Sequence, residues 1–251
     1  MSGHSKWATI RRKKGAADAK RGQLFSKLVR AIIVASREGG PDPDSNLALA
    51  NAIEKARESS MPKDTIERAI TRGSGAGADG EAYEHVTYEG YGPAGVAILV
   101  EALTDNRNRT AADIRHIFSK SDGNLGTAGA VAWQFERKGV ILVDADGTDE
   151  EELTLAAADA GAEDVALDGS SFQVTTPPDE LAAVRGALAT SGLELEAAEL
   201  TMVPKTTVRV EDDGAARKLL RLVEALEDNE DVQGVYANFD IPEAVLEAAV
   251  T

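Results

Sequence analysis

Residues 140–203 read VILVDADGTDEEELTLAAADAGAEDVALDGSSFQVTTPPDELAAVRGALATSGLELEAAELTMV. The spacing predicts a strand at Val140–Asp144, a helix at about 149–160, strands at Asp164–Leu167 and Ser171–Thr176, a helix at Pro178–Ser191 and a strand near Ala197–Val203. Strand, helix, strand, strand, helix, strand is the ferredoxin-like supersecondary order. Short strands and helices mixed in this way indicate the α+β class.

Working outward, Thr206–Val210 predicts a strand, Ala215–Glu227 a helix and Val232–Phe239 a strand. On the other side, Val86–Tyr91 and Val96–Thr104 predict strands joined across Gly92-Pro93-Ala94-Gly95. A helix at Arg109–Ser121 and a strand at Val131–Arg137 follow. The last strand–helix–strand needs partners, and the unit at 83–137 is short on its own. The expected class is therefore α+β: an N-terminal three-helix domain, then two α+β (ferredoxin-like) domains, the middle one inserted. Residues 138–204 would be the insert, and 81–137 plus 205–251 the domain that receives it.

Residues 1–80 read as a basic helical domain and its linker. From Ala16 to Arg37, Leu24, Phe25, Leu28, Val29 and Ile32 share one broad helical face. Lys20, Lys27, Arg30 and Arg37 fall roughly opposite, so the helix can dock on a core and present cations outward. Gly39-Gly40-Pro41 stops it. Asp44 or Ser45 suits the cap of a second helix ending near Ser59, with Leu47, Ala50, Ile53 and Ala56 inward. Pro62 suits the first turn of a third, striped by Ile66, Ala69 and Ile70. Residues 73–80, GSGAGADG, have the composition of a flexible linker. They spell G-x-G-x-x-G at Gly75, Gly77 and Gly80, but a dinucleotide site needs a strand before and a helix after. Only this motif supports the remote reading of a nucleotide-using enzyme.

The formal net charge of −16 conceals a division. Residues 1–75 hold 15 Lys/Arg against 8 Asp/Glu, and residues 76–251 hold 12 against 35, a net of −23. The first 37 residues have ten bases and one acid, Asp18. A basic end on an acidic chain suggests a polyanion-binding segment, with the rest repelling nucleic acid. Lys6, Arg11, Arg12, Lys13 and Lys14 are packed into nine residues, with His4 and Trp7 among them. Such an arm can lie along phosphates, and an aromatic among cations suits stacking on an unpaired base.

A second cluster is Asp105-Asn106-Arg107-Asn108-Arg109-Thr110, where a strand hands over to a helix. Asn106, Arg107, Asn108 and Arg109 are candidates for a phosphate or partner site, and Thr110 with Asp113 resembles a capping box. Gly123-Asn124-Leu125-Gly126 and Thr127-Ala128-Gly129 form a glycine-rich loop that feeds a strand rather than a helix. It reads as structural or as a partner surface. The histidines are His4, His85 and His116, without an H-x-x-x-H pair, and there is no Cys. No catalytic constellation, metal site or cofactor is expected. No apolar run approaches the roughly 20 residues of a membrane span, and MSGHSKWATIRRKKG lacks a secretory apolar stretch. The expectation is a cytoplasmic protein with no membrane partner and no small-molecule substrate.

Several motifs in order resemble the YebC/PmpR family of regulatory proteins, which includes mitochondrial translational activators. They are Gly3-His4-Ser5-Lys6-Trp7, Asp18-Ala19-Lys20-Arg21-Gly22, Gly40-Pro41-Asp42-Pro43-Asp44, Tyr88-Glu89-Gly90-Tyr91-Gly92-Pro93, the 105–110 cluster and Gly123-Asn124-Leu125-Gly126. Gly129-Ala130-Val131 departs from the usual Gly-Ser-Val, Leu47 stands where Pro often follows the Asn, and Asp122-Gly123 replaces Gly-Gly. The resemblance implies three domains, no enzymatic activity, and either DNA-binding transcriptional regulation or a ribosome-associated role in translation through proline-rich stretches. Expected partners are duplex DNA or ribosomal or transfer RNA, with the ribosome as a further candidate. The expected contacts are His4, Lys6, Trp7, Arg11, Arg12, Lys13, Lys14, Lys20, Arg21, Lys27 and Arg30.

Overall fold

The computed structural model describes residues 18–75, 83–242 and 244–246, with side chains from residue 22 onward. Three helices come first: α1 (Asp18–Gly39), α2 (Leu47–Glu58) and α3 (Lys63–Gly73). They close on Ile32, Ile33, Leu49, Ile53, Ala56, Met61, Ile66 and Ala69, with Phe25, Leu28 and Val29 packed at the margin. Leu24 belongs to the same periodic face but is 43% exposed. Gly40 ends α1 at φ +91°, a conformation that costs glycine nothing.

The α2 cap is Asn46 rather than Asp44 or Ser45. Its Oδ1 accepts the Leu49 N–H at 3.1 Å, while its Nδ2 donates to the carbonyls of Ala35 (2.7 Å) and Gly40 (2.8 Å). Only an amide caps one helix and ties down the end of another, because Asp and Ser lack the two donors. Gly73 belongs to α3, not to the linker. A Cβ there would lie 2.4 Å from the Ile33 carbonyl, so the glycine lets α3 approach α1. With α3 before and a strand after, the glycine pattern stands in the reverse of dinucleotide-binding order; Gly77 and Gly80 lie outside the described residues.

The first sheet contains β1 (Glu84–Tyr91), β2 (Ala97–Thr104), β3 (Asn124–Leu125) and β9 (Val232–Ala237), in the order β3-β1-β2-β9. Every pairing is antiparallel. Helices α4 (Arg107–Lys120) and α7 (Asp213–Glu227) cover one face. Leu219, Leu222, Val223 and Leu226 of α7 meet Ile98, Val100, Ile114 and Phe118 there. Each buried side chain of this size contributes roughly 1.5–3 kcal/mol. On the other face, Ala97 and Leu99 pack with Val131, Phe135, Met202 and Tyr236.

The second sheet comes wholly from 135–204: β4 (Phe135–Asp144), α5 (Glu150–Asp159), β5 (Asp164–Asp168), β6 (Ser171–Thr176), α6 (Leu181–Thr190) and β7 (Leu195–Pro204). Its order β5-β6-β4-β7, all antiparallel, is ferredoxin-like. The first sheet differs, because the tight Pro93 turn makes β1 and β2 adjacent at its centre. The chain thus leaves the first sheet after β3 and returns through α7 to β9. A short parallel pair, β8 (Val208–Arg209) with β10 (Phe239–Asp240), lies beside that return.

Two expected strands, 131–137 and 140–144, are one. A 3-10 turn at Ala132–Gln134 leads into β4, which runs unbroken through 137–139. Gly139 looks like a break in sequence but sits within the strand, where a Cβ would lie 2.3 Å from Thr176 Oγ1 and 2.9 Å from Leu181 Cβ.

Candidate nucleic-acid interface

The cations of α1 do not all face outward. Helix α7 ends at Glu227, where backbone carbonyls lack intrahelical partners and cations are favoured. Lys27 donates there to the Glu227 carbonyl at 2.5 Å. Three residues on, one helical turn, Arg30 donates to the Glu230 carbonyl, forms a 2.9 Å ion pair with Asp231 and lies 5.6 Å from the centre of the Tyr83 ring. The seam between the helical domain and the first sheet is therefore built from two residues whose sequence pattern suggested phosphate contact.

Asp231 is the centre of this seam. It is 4% exposed. One carboxylate oxygen takes Arg30, and the other accepts from Arg109 (3.1 Å), Thr110 (2.7 Å) and Thr104 (3.3 Å). Burial pushes the carboxyl up, but the Thr110 and Arg109 hydrogen bonds and the two guanidinium charges outweigh it and hold the group below its ordinary value. One side chain thus joins the helical domain to the start of α4.

The 105–110 cluster is shaped by that bond. Asn106 caps α4, accepting the Arg109 N–H at 3.1 Å, so the helix starts at Arg107 and not at Arg109. Thr110 is buried against Asp231 instead of forming a capping box. Arg109 also holds Asp105 at 2.7 Å. Arg107 and Asn108 remain on a groove of about 590 Å³ beside β1, which Glu84, Val86, Tyr88 and Asp105 also line. Arg107 is 3.7 Å from Glu84. An anion entering the groove would meet one guanidinium and two carboxylates.

His4, Lys6, Trp7, Arg11, Arg12, Lys13 and Lys14 lie outside the described residues, as do the side chains of Lys20 and Arg21. Of the expected contacts, the structure brings Lys27 and Arg30 together, and it brings them to the acidic end of α7. Asp231, Thr104 and Tyr83 had no distinguishing signal, since Asp231 closes the run Glu227-Asp228-Asn229-Glu230-Asp231. Among the described residues there is no group of three His, Cys, Asp or Glu placed to hold a metal, and no helix long and apolar enough to cross a membrane.

Comparison with known proteins decides the kinship. Residues 5–76 match the TACO1/YebC protein N-terminal domain, and residues 83–239 match the TACO1/YebC second and third domain. The chain belongs to the TACO1/YebC family. Among its TACO1/YebC relatives, a "Probable transcriptional regulatory protein" of Rubrobacter xylanophilus is 62% identical over 246 residues, covering 98% of each chain. One from Desulfotalea psychrophila is 56% identical over 247 residues, again covering 98% of each. The crystal structure of a conserved hypothetical protein from Aquifex aeolicus superposes with a TM-score of 0.79 at 50% identity, covering 90% of this chain and 93% of that one. This family is named for regulation, not for an enzymatic reaction.

Proposed function

We propose that this protein is a non-enzymatic, nucleic-acid-binding regulator of gene expression, acting as a DNA-binding transcriptional regulator through its N-terminal segment and helical domain. One observation carries the reading: ten bases against one acid in the first 37 residues of a chain whose last 176 carry a net of −23. Phosphate contact is thereby confined to one end, where counterion release supplies the affinity. Exposed Lys55 and Arg57 in the last turn of α2 extend the basic surface. The names of the relatives support regulation of transcription.

A second reading is a ribosome- or RNA-binding translation factor. Arg68, one of few cations on α3, turns its Nε back to the Asp64 carbonyl at 3.1 Å and a terminal nitrogen to Thr65 at 3.3 Å. That leaves α3 poorly equipped to read base edges. Trp7 among cations suits unpaired bases. The deciding experiment is retention on duplex DNA against cosedimentation with ribosomes at matched salt. DNA retention alone supports the first reading, ribosome association alone the second. Neither at moderate salt would sink both.

A further inference from the structure

Glu89 is a carboxylate almost removed from water, 6% exposed. Its oxygens accept the backbone N–H groups of Gly129 (2.6 Å), Val131 (2.7 Å) and Ala132 (2.8 Å), and its own carbonyl accepts that of Gly126 at 2.7 Å. Burying a charge is costly unless it is so satisfied. What it produces is a glycine-rich loop locked onto β1, with Val131 fully buried beneath it. The loop presents Trp133, 67% exposed, and holds it beside Tyr91, 38% exposed. The two rings are fixed at one atom: the Ala130 carbonyl accepts the Trp133 Nε1–H at 3.2 Å and the Tyr91 hydroxyl at 3.0 Å. Rigid, exposed Trp and Tyr are the anchors that recognition surfaces use, because little side-chain freedom is lost on contact.

We propose that the Tyr91–Trp133 surface docks an arginine-rich segment of a protein partner. This goes beyond the nucleic-acid reading and stands apart from it. Charge selects the partner. Residues 76–251 carry a net of −23, which repels phosphates and attracts cations. Tyr236 packs against the same Ala97, Leu99, Val131 and Phe135 cluster as Ala130 and Ala132, its hydroxyl donates to Glu101 at 3.0 Å, and Glu199 and Arg137 both act on that hydroxyl, two carboxylates to one guanidinium. Exposed Glu136 follows three residues after Trp133, with Lys138 3.4 Å from one of its two carboxylate oxygens. A guanidinium is planar and weakly hydrated, so it can stack on indole while a carboxylate takes its charge; an ammonium cannot match both.

The test uses the full chain carrying Trp7→Phe, which leaves Trp133 as its single tryptophan. It is titrated with an arginine–glycine decapeptide, the lysine–glycine counterpart and decauridylate. The arginine peptide should shift Trp133 emission saturably and bind about fivefold tighter than the lysine peptide. Trp133→Ala should weaken binding of the labelled arginine peptide about tenfold, and Trp133→Phe by less than about threefold, with far-ultraviolet circular dichroism unchanged. Equal binding by Trp133→Ala overturns the proposal, as does an equal emission shift with decauridylate. A shift already present without peptide, and removed by replacing residues 11–14 with Ala, makes the occupant the chain's own basic segment and likewise overturns it.

Discussion

Arg30 and Asp231, 201 residues apart, form a 2.9 Å ion pair across the seam between the helical domain and the first sheet. The pair is mostly sheltered, with side chains 16% and 6% exposed. Asp231 uses its other oxygen on the start of α4, so the seam and the Asn106–Arg109 turn share one anchor. The basic domain is therefore not simply tethered to an acidic body. Part of its charge is what docks it there.

Removing that anchor should be costly. Asp231→Ala removes the carboxylate that neutralises the mostly buried Arg30 guanidinium and leaves Arg30 and Thr110 with the Glu230 and Asn106 carbonyls, so unfolding in guanidinium should lose about 3 kcal/mol. Arg109 is half-exposed and its share is screened by water. A loss under about 1 kcal/mol would mean that the seam does not contribute to folding.

Acid should weaken the fold through the same group and through Glu89. Burial raises both carboxyls, yet hydrogen bonds, and for Asp231 the two arginine charges, hold them below their ordinary values of 3.8 and 4.5. Their stabilisation is then complete above the unfolded values and is lost as pH falls through the folded ones. Urea midpoints should hold between pH 7 and about pH 5 and drop below about pH 4. Glu89→Gln should drop less steeply over that interval. An identical slope in the variant would remove Glu89 from the acid response.

How much of this was legible follows from the range of each signal. The α7 stripe of Leu219, Leu222, Val223 and Leu226 repeats at helical spacing, and such a period is local. The ferredoxin-like order is readable from Val140 to Val203 for the same reason, whereas the start of its first strand at Phe135 is not, since 131–137 reads as a strand of the receiving domain. Asp231 was not legible, because its partners Arg30 and Arg109 lie 201 and 122 residues away and nothing local separates it from the acids beside it. Lys27 and Arg30 were legible as cations but not as contacts, since periodicity gives a face and not what covers it. The two strands expected at 131–137 and 140–144 join through Gly139, because a glycine that breaks a strand and one that admits a neighbour look alike in sequence.

Gly139→Ala tests the second role. The added methyl would collide with Thr176 Oγ1 and with Leu181, the first residue of α6. Strand and helix must part, at a cost of about 1–3 kcal/mol. Thermal unfolding should fall by several degrees, whereas Gly186→Ala in α6, where no atom lies within 4 Å, should be neutral or slightly stabilising. Equal effects at the two sites would remove the close-approach explanation.

Nucleic-acid affinity should separate the two sets of cations. Replacing Arg11, Arg12, Lys13 and Lys14 with Ala should reduce polyanion affinity by on the order of 10- to 1,000-fold at moderate salt, and flatten the dependence of log K on log salt by about 0.9 for each lost phosphate contact. Lys27→Ala and Arg30→Ala should change affinity by less than about twofold, because both donors are already engaged at the end of α7. Their effect should appear instead as faster amide exchange along α1 and around residues 227–231. If Arg30→Ala weakens binding as much as the N-terminal replacements do, α1 must present its inner face to the nucleic acid. The helical domain would then have to leave Asp231 in order to bind.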